Sequence, residues 1–222
     1  MLEELDFSVI WDNLDFLLEG MALTLWLTLL AIVGGLIFGT ILALCRLSHI
    51  GPLSFIAGAY VNFLRSMPLI LVIFWIYFLV PVIIGRPVGT FYSVLVAFVM
   101  FEAAYYCEII RAGIQSVKKG QVYAGEALGM TYKQNMQYVV LPQAFRNMIP
   151  ILVTQAIVLF QDTSLVYVVG LADFLVVGER IATIENRTIE VFLFIAFVYF
   201  IMCLVGTILV GKLQRKYALW FK

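Results

Sequence analysis

Three stretches of the chain run for twenty residues or more without a charged side chain: 21–45, 66–85 and 191–211. A helix needs about 20 apolar residues to cross the hydrocarbon core, so each stretch is long enough to span a bilayer. Two more qualify once isolated acids are admitted: 88–110 is apolar except for Glu102 and Glu108, and 147–172 except for Asp162. Lipid cannot satisfy open backbone groups, and segments of this length exceed a barrel strand, so the spans must be helices. The reading is an all-α integral membrane protein with one domain and five transmembrane helices, at 20–46, 66–85, 88–110, 147–171 and 190–211. Composition agrees, with 64% hydrophobic and 13% charged residues against roughly 45–50% and ~25% in soluble domains. Gly51-Pro52, Pro81, Gly85 to Gly89 and Gly170 fall at or near span ends, where breakers belong. Cys45, Cys107 and Cys203 lack paired spacing and His49 is the single histidine, so neither a disulfide framework nor a metal site is expected.

Five spans put the termini on opposite sides, and basic residues decide which is which. The segment 111–146 carries Arg111, Lys118, Lys119, Lys133 and Arg146, and the tail 212–222 carries Lys212, Arg215, Lys216 and Lys222. Both are expected in the cytoplasm. Residues 1–19 hold Glu3, Glu4, Asp6, Asp12, Asp15 and Glu19 and no base, and acids outnumber bases in 173–190. Both are expected outside, so the N-terminus is external and the C-terminus cytoplasmic. The acidic start also argues against a cleaved signal peptide. Trp11, Tyr217 and Trp220 suit the membrane interface.

The cytoplasmic segment contains "GQVYAGEALGMTYKQNMQYVVLPQA", residues 120–144, a polar, helix-forming interval between apolar runs. Residues 121–128 favour helix, Gly129 suits a C′ position with positive φ, and Thr131 with Gln134 has capping-box spacing. The second helix is expected to stop at Pro142, which cannot donate to a helix ladder. The exposed side would carry Tyr123, Ala124, Leu128 and Met130. Periodicity leaves two readings open: an amphipathic hairpin on the membrane surface, or a docking knob that enters a groove on a cytoplasmic partner.

This segment resembles the cytoplasmic EAA loop of permease subunits of ATP-binding-cassette importers, whose pattern is Glu-Ala-Ala, three residues, Gly, nine residues, Ile, one residue, Leu-Pro. Tyr123-Ala124-Gly125 falls on the triplet, Gly129 on the glycine, Val139 on the isoleucine and Leu141-Pro142 on the end. Tyr123 replaces the Glu and Gly125 the second Ala, so a charged contact made by that Glu should be absent. The flanks "FEAAYYCEIIRAGIQSVKKGQ" and "LPQAFRNMIPILVTQAIVLFQDTSLVYVVGLADF" resemble the polar amino acid uptake branch, most of all the permeases of glutamate/aspartate importers. The likeness runs over about residues 20–211.

The resemblance implies a type I importer permease: a transport subunit with no catalytic residues and no cofactor of its own, working beside a second and different permease subunit, two ATPase subunits that use ATP-Mg, and an extracytoplasmic solute-binding protein. No phosphate-binding G-x-x-x-x-G-K-[ST] loop occurs in the chain, so ATP must be handled elsewhere. The coupling residues it implies are Gly120, Tyr123, Ala124, Gly125, Leu128, Gly129, Met130, Leu141 and Pro142. The implied solute is glutamate or aspartate, with another polar amino acid such as glutamine as the alternative.

Polar groups in lipid are costly and often functional. Glu102 lies nine residues before Arg111, ~13 Å up the helix, and is read either as a path residue or as a carboxyl bonded to a neighbouring helix. Asp162 and Gln155, seven apart, share a helix face and line either a path or a subunit seam. Gln161 stands where many relatives carry Lys, which removes a cation. Arg65, beside Pro68, is read either as a partner for a substrate carboxylate or as a membrane anchor. Glu108 and Arg111 have ion-pair spacing, and Ala31, Gly35 and Gly39 suit close helix packing. An intramembrane enzyme has no convergent nucleophile, base or metal ligands here. An ion-coupled transporter or channel subunit is the competing class, and it leaves the 120–144 segment without a role. No feature suggests nucleic-acid binding.

Overall fold

The computed structural model describes residues 5–218. They are helical nearly throughout, with no strand among them. A short α1 (Ser8–Asp12) leads into α2 (Leu14–Leu47), whose 34 residues outreach the bilayer core at ~1.5 Å per residue. α3 (Gly51–Arg65) and α4 (Leu69–Ile84) follow as a pair bent by 106°. Then come α5 (Thr90–Gln115), α6 (Lys119–Ala127), α7 (Tyr132–Val169), α8 (Phe174–Ile184) and α9 (Thr188–Ala218). Four helices are long and apolar enough to cross a membrane, or five if the bent pair is one span.

α2 and α5 form the centre. The four-residue spacing of Ala31, Gly35 and Gly39 buries all three, and it lets the two backbones meet. A Cβ on Gly35 would stand 2.9 Å from Glu102 Cβ, and one on Gly39 would stand 2.9 Å from the Ala103 carbonyl oxygen. Leu27, Val61, Val72, Ile73, Phe98 and Leu159 complete this core from five helices.

Two further helices, α3 and α8, lie between the expected spans. Gly51-Pro52 begins α3 rather than merely ending what precedes it, because proline fits the first turn, whose amide has no helical partner anyway. Ala57, Val61 and Leu64 then form its buried stripe. The break after Arg65 falls at Pro68, since the residue before a proline is driven from helical geometry. α8 occupies most of the 173–190 segment. Asp173 caps it by accepting from the Val176 amide at 2.9 Å, and Thr24 Oγ1 accepts from the Phe174 amide at 3.0 Å, tying the cap to α2.

Proline does not end the elbow's second helix. α7 runs through Pro142, with a π turn over Met136–Val140 just before it. In an α-helix the Pro142 ring would strike the carbonyl of Tyr138, and the wider π turn takes up that clash. The same device recurs in α4, where a π turn over Trp75–Leu79 precedes Pro81 by the same two residues. The glycines foreseen as breakers close their helices with positive φ, Gly85 at 74° and Gly170 at 67°. Trp220 lies outside the described residues, as do Glu3, Glu4 and Lys222.

Candidate functional site: the elbow and the buried polar groups

α6 ends in a Schellman turn. The Met130 amide donates to Gly125 O at 3.1 Å and the Gly129 amide to Glu126 O at 2.9 Å, the two bonds that satisfy the last carbonyls of a helix when C′ is left-handed. Gly129 supplies that conformation at φ 76°. The capping box then starts α7: the Gln134 amide donates to Thr131 Oγ1 at 3.3 Å and the Thr131 amide to Gln134 Oε1 at 2.8 Å.

Asn135 holds the two arms together, and the sequence reading passed over it. Its Nδ2 donates to Val122 O at 2.8 Å, and a Cβ on Gly125 would stand 2.5 Å from its Oδ1. Gly125 is thus glycine because Asn135 fills the space, ten residues along the chain; a small residue facing a buried amide was the available signal. Val117, Val140, Ala144 and Met148 seat the elbow on α5. Outward it presents Tyr123, Ala124 and Leu128, while Met130 is half-buried. Tyr132 and Tyr138 extend the exposed apolar surface beyond the residues foreseen, and Tyr138 shares a shallow cavity of about 290 Å³ with Leu128, Gly129 and Met130. Leu141 is half-buried, and Pro142 and Gly120 are exposed.

The polar groups of the spans fall into three places. Glu102 is fully buried, and Gln155 Nε2 donates to both its carboxylate oxygens at 3.1 and 3.2 Å, linking α5 to α7. Asp162, two turns beyond Gln155, is half-buried and its side chain has no hydrogen-bond partner among the described residues. Gln161 turns away and donates to Cys203 Sγ on α9 at 3.3 Å.

Arg65 meets neither group. It lies 3.7 Å from Glu108 Oε2, with its guanidinium 5.3 Å from the centre of the Tyr105 ring. The ion pair expected of Glu108 and Arg111 is present at 2.8 Å, and Arg46 from the end of α2 also pairs with Glu108. Three arginines from three helices therefore converge on one carboxylate. Sequence spacing signals only the Arg111 pair, because the other two are separated from Glu108 by some forty residues or more.

Residues 35–219 match the family described as a binding-protein-dependent transport system inner membrane component. Over 97% of its length the chain is 49% identical to the glutamate/aspartate import permease protein GltK of Escherichia coli O6:H1, covering 99% of that protein. It is 35% identical to the arginine transport system permease protein ArtQ of Bacillus subtilis, over 96% of this chain and 97% of that one. A crystal structure of an amino acid ABC transporter with histidines superposes with a TM-score of 0.91 at 33% identity, covering 96% of this chain and 99% of that chain. The inward-facing MetNI methionine ABC transporter, at 21% identity and TM-score 0.70 over 91% of this chain and 98% of that one, shares the fold. The chain is therefore a multi-pass inner-membrane permease subunit of the ATP-binding-cassette importers, a member of the binding-protein-dependent transport system family.

Proposed function

We propose that this chain carries glutamate or aspartate into the cytoplasm as one of two different permease subunits, with the elbow docked in a groove of a partner ATPase. The identity to GltK over nearly the whole chain carries the substrate reading. The external N-terminus, the cytoplasmic elbow, the extracytoplasmic binding protein and the use of ATP-Mg by the partner rather than by this chain belong to the same reading. Its coupling surface is Tyr123, Ala124, Leu128 and Met130, held rigid by Gly125, Gly129, Leu141 and Pro142, with Gly120 at its start. Closure of two ATPases would move such a braced elbow as a rigid body and tilt α5 and α7 with it.

Gln155, Gln161 and Asp162 are proposed to border the solute path, with the buried Glu102 holding Gln155 from behind. A glutamate anion gains nothing from two carboxylates alone, so cationic partners must come from Arg65 and its neighbours or from the second permease.

The test is ATP hydrolysis by the full complex in lipid, with binding protein, amino acid by amino acid. Glutamate or aspartate should stimulate it several-fold, and Gly129→Val should abolish the stimulation while the subunit still inserts and assembles, because a β-branched residue fits positive φ poorly. Stimulation by glutamine instead would discard the acidic substrate and keep the importer. Unchanged coupling in Gly129→Val would discard the elbow's role.

A further inference from the structure

The Glu108 cluster is unbalanced. Arg46, Arg65 and Arg111 bring three positive charges to one carboxylate, and no second carboxylate pairs with any of them among the described residues. Two positive charges are left over in a partly buried setting, Glu108 being 16% exposed. An unpaired charge withdrawn from water is costly unless an anion joins it.

The three arginines are not equally committed. Arg111 gives Nε and Nη2 to Glu108 and Nη1 to Gln115 at 2.6 Å. Arg65 is the loosest, 40% exposed and resting on the Tyr105 face. Beside the cluster an open cavity of about 570 Å³ is lined by Arg46 together with Ser48, Ser54 and Asn62. Asn62 stands one turn before Arg65 on α3, and its side-chain amide is without a partner.

The geometry points to this cluster as an exit site for the zwitterionic, dicarboxylic substrate: its carboxylates are received by Arg65 and Arg46 with the Asn62 amide, and its ammonium by Glu108. The inference rests on the reading that the solute is an acidic amino acid. The sign of the charge fits, because the substrate's two carboxylates and one ammonium leave it a net anion, which offsets part of the positive excess around Glu108. Position matches as well. Glu108 lies six residues beyond Glu102 on α5, ~9 Å nearer the end of the helix that leads to the elbow. A solute anion leaving the region of Glu102 and Asp162 would be drawn toward the positive excess of the cluster.

The experiment uses the whole complex in nanodiscs, without binding protein, and titrates glutamate and glutamine by calorimetry against wild type, Arg65→Gln, Arg65→Lys and Arg111→Gln. Arg65→Gln should weaken glutamate binding about tenfold and glutamine binding less than threefold, and Arg65→Lys should recover most of the glutamate affinity. Arg111→Gln, which mainly loosens Glu108, should weaken both ligands. Equal losses for both ligands in Arg65→Gln would overturn the proposal in favour of a purely structural ion cluster. An effect that disappears in discs of neutral lipid would overturn it in favour of a lipid phosphate. Hydrolysis stimulated by glutamate-loaded binding protein in wild type, alongside unaltered titrations in the variants, would reject the exit site while leaving the importer reading in place. Absent stimulation in wild type would reject the importer reading itself.

Discussion

Asp173 shows how one residue can carry both a fold and a cost. Its Oδ1 caps α8, while its Oδ2 is buried with no partner. Close packing leaves little room for relief, since a Cβ on Gly20 would stand 3.0 Å from the Asp173 carbonyl oxygen. Burial pushes the carboxyl up to about 6 against the cap bonds to Val176 and Leu175, which pull it down. A folded-state value above the unfolded one means the native protein binds the proton more tightly. This acid's contribution is therefore most favourable below about 3.8 and is lost as pH rises through about 6. A displacement of this size corresponds to roughly 3 kcal/mol. Asn keeps the capping oxygen and never ionises. Asp173→Asn should melt above wild type at pH 7.5, with the gap closing as pH falls to 4; a gap independent of pH would place the effect in packing rather than ionisation.

At the scale of elements, legibility depended on whether a local rule met a tertiary override. The Gly129 end and the Thr131 capping box need only neighbours within six residues, and both stand in the structure as read. Pro142 was read by an equally local rule and the helix passed through it, because a π turn is a response to the proline that spacing does not announce. α3 was missed because 15 residues are too few to register as a span, and its Gly-Pro start looks the same as a stop. α8 is not legible because it is too short to span and Glu179 and Arg180 interrupt it, which hides a buried stripe of Phe174, Gly178, Ile181 and Ala182. The capping box gives a prediction of its own: Thr131→Val removes the acceptor for the Gln134 amide and should cost about 1 kcal/mol locally. Hydrogen exchange should quicken at residues 132–135 about fivefold, with α5 unchanged. Exchange that quickens equally in both would mean that the cap supports the whole bundle.

Across the whole molecule, the apolar runs located the spans because lipid sets their length, and that constraint acts on sequence directly. Pairings between helices are set by packing instead. Nothing in the spacing of Glu102 and Gln155, 53 residues apart, or of Arg46 and Glu108, 62 apart, says that they meet. Orientation follows from charge asymmetry, with the elbow expected in the cytoplasm and α8 outside, and it allows a direct check. Leu128 at the elbow is 80% exposed and Ile184 at the end of α8 is 78% exposed, so a cysteine at either place is open to reagent. Cys107 is buried and Cys45 and Cys203 are partly so, within spans, which keeps the background low. With a membrane-impermeant maleimide, Ile184→Cys should label in cells whose outer barrier has been opened and Leu128→Cys only in inverted vesicles, each by at least tenfold over the other side. In the assembled complex the Leu128→Cys label should fall further if the elbow docks in the ATPase as proposed, since the partner would then cover that residue. The reverse pattern would turn the subunit over, leaving the elbow facing away from every source of ATP and removing the basis for its coupling role.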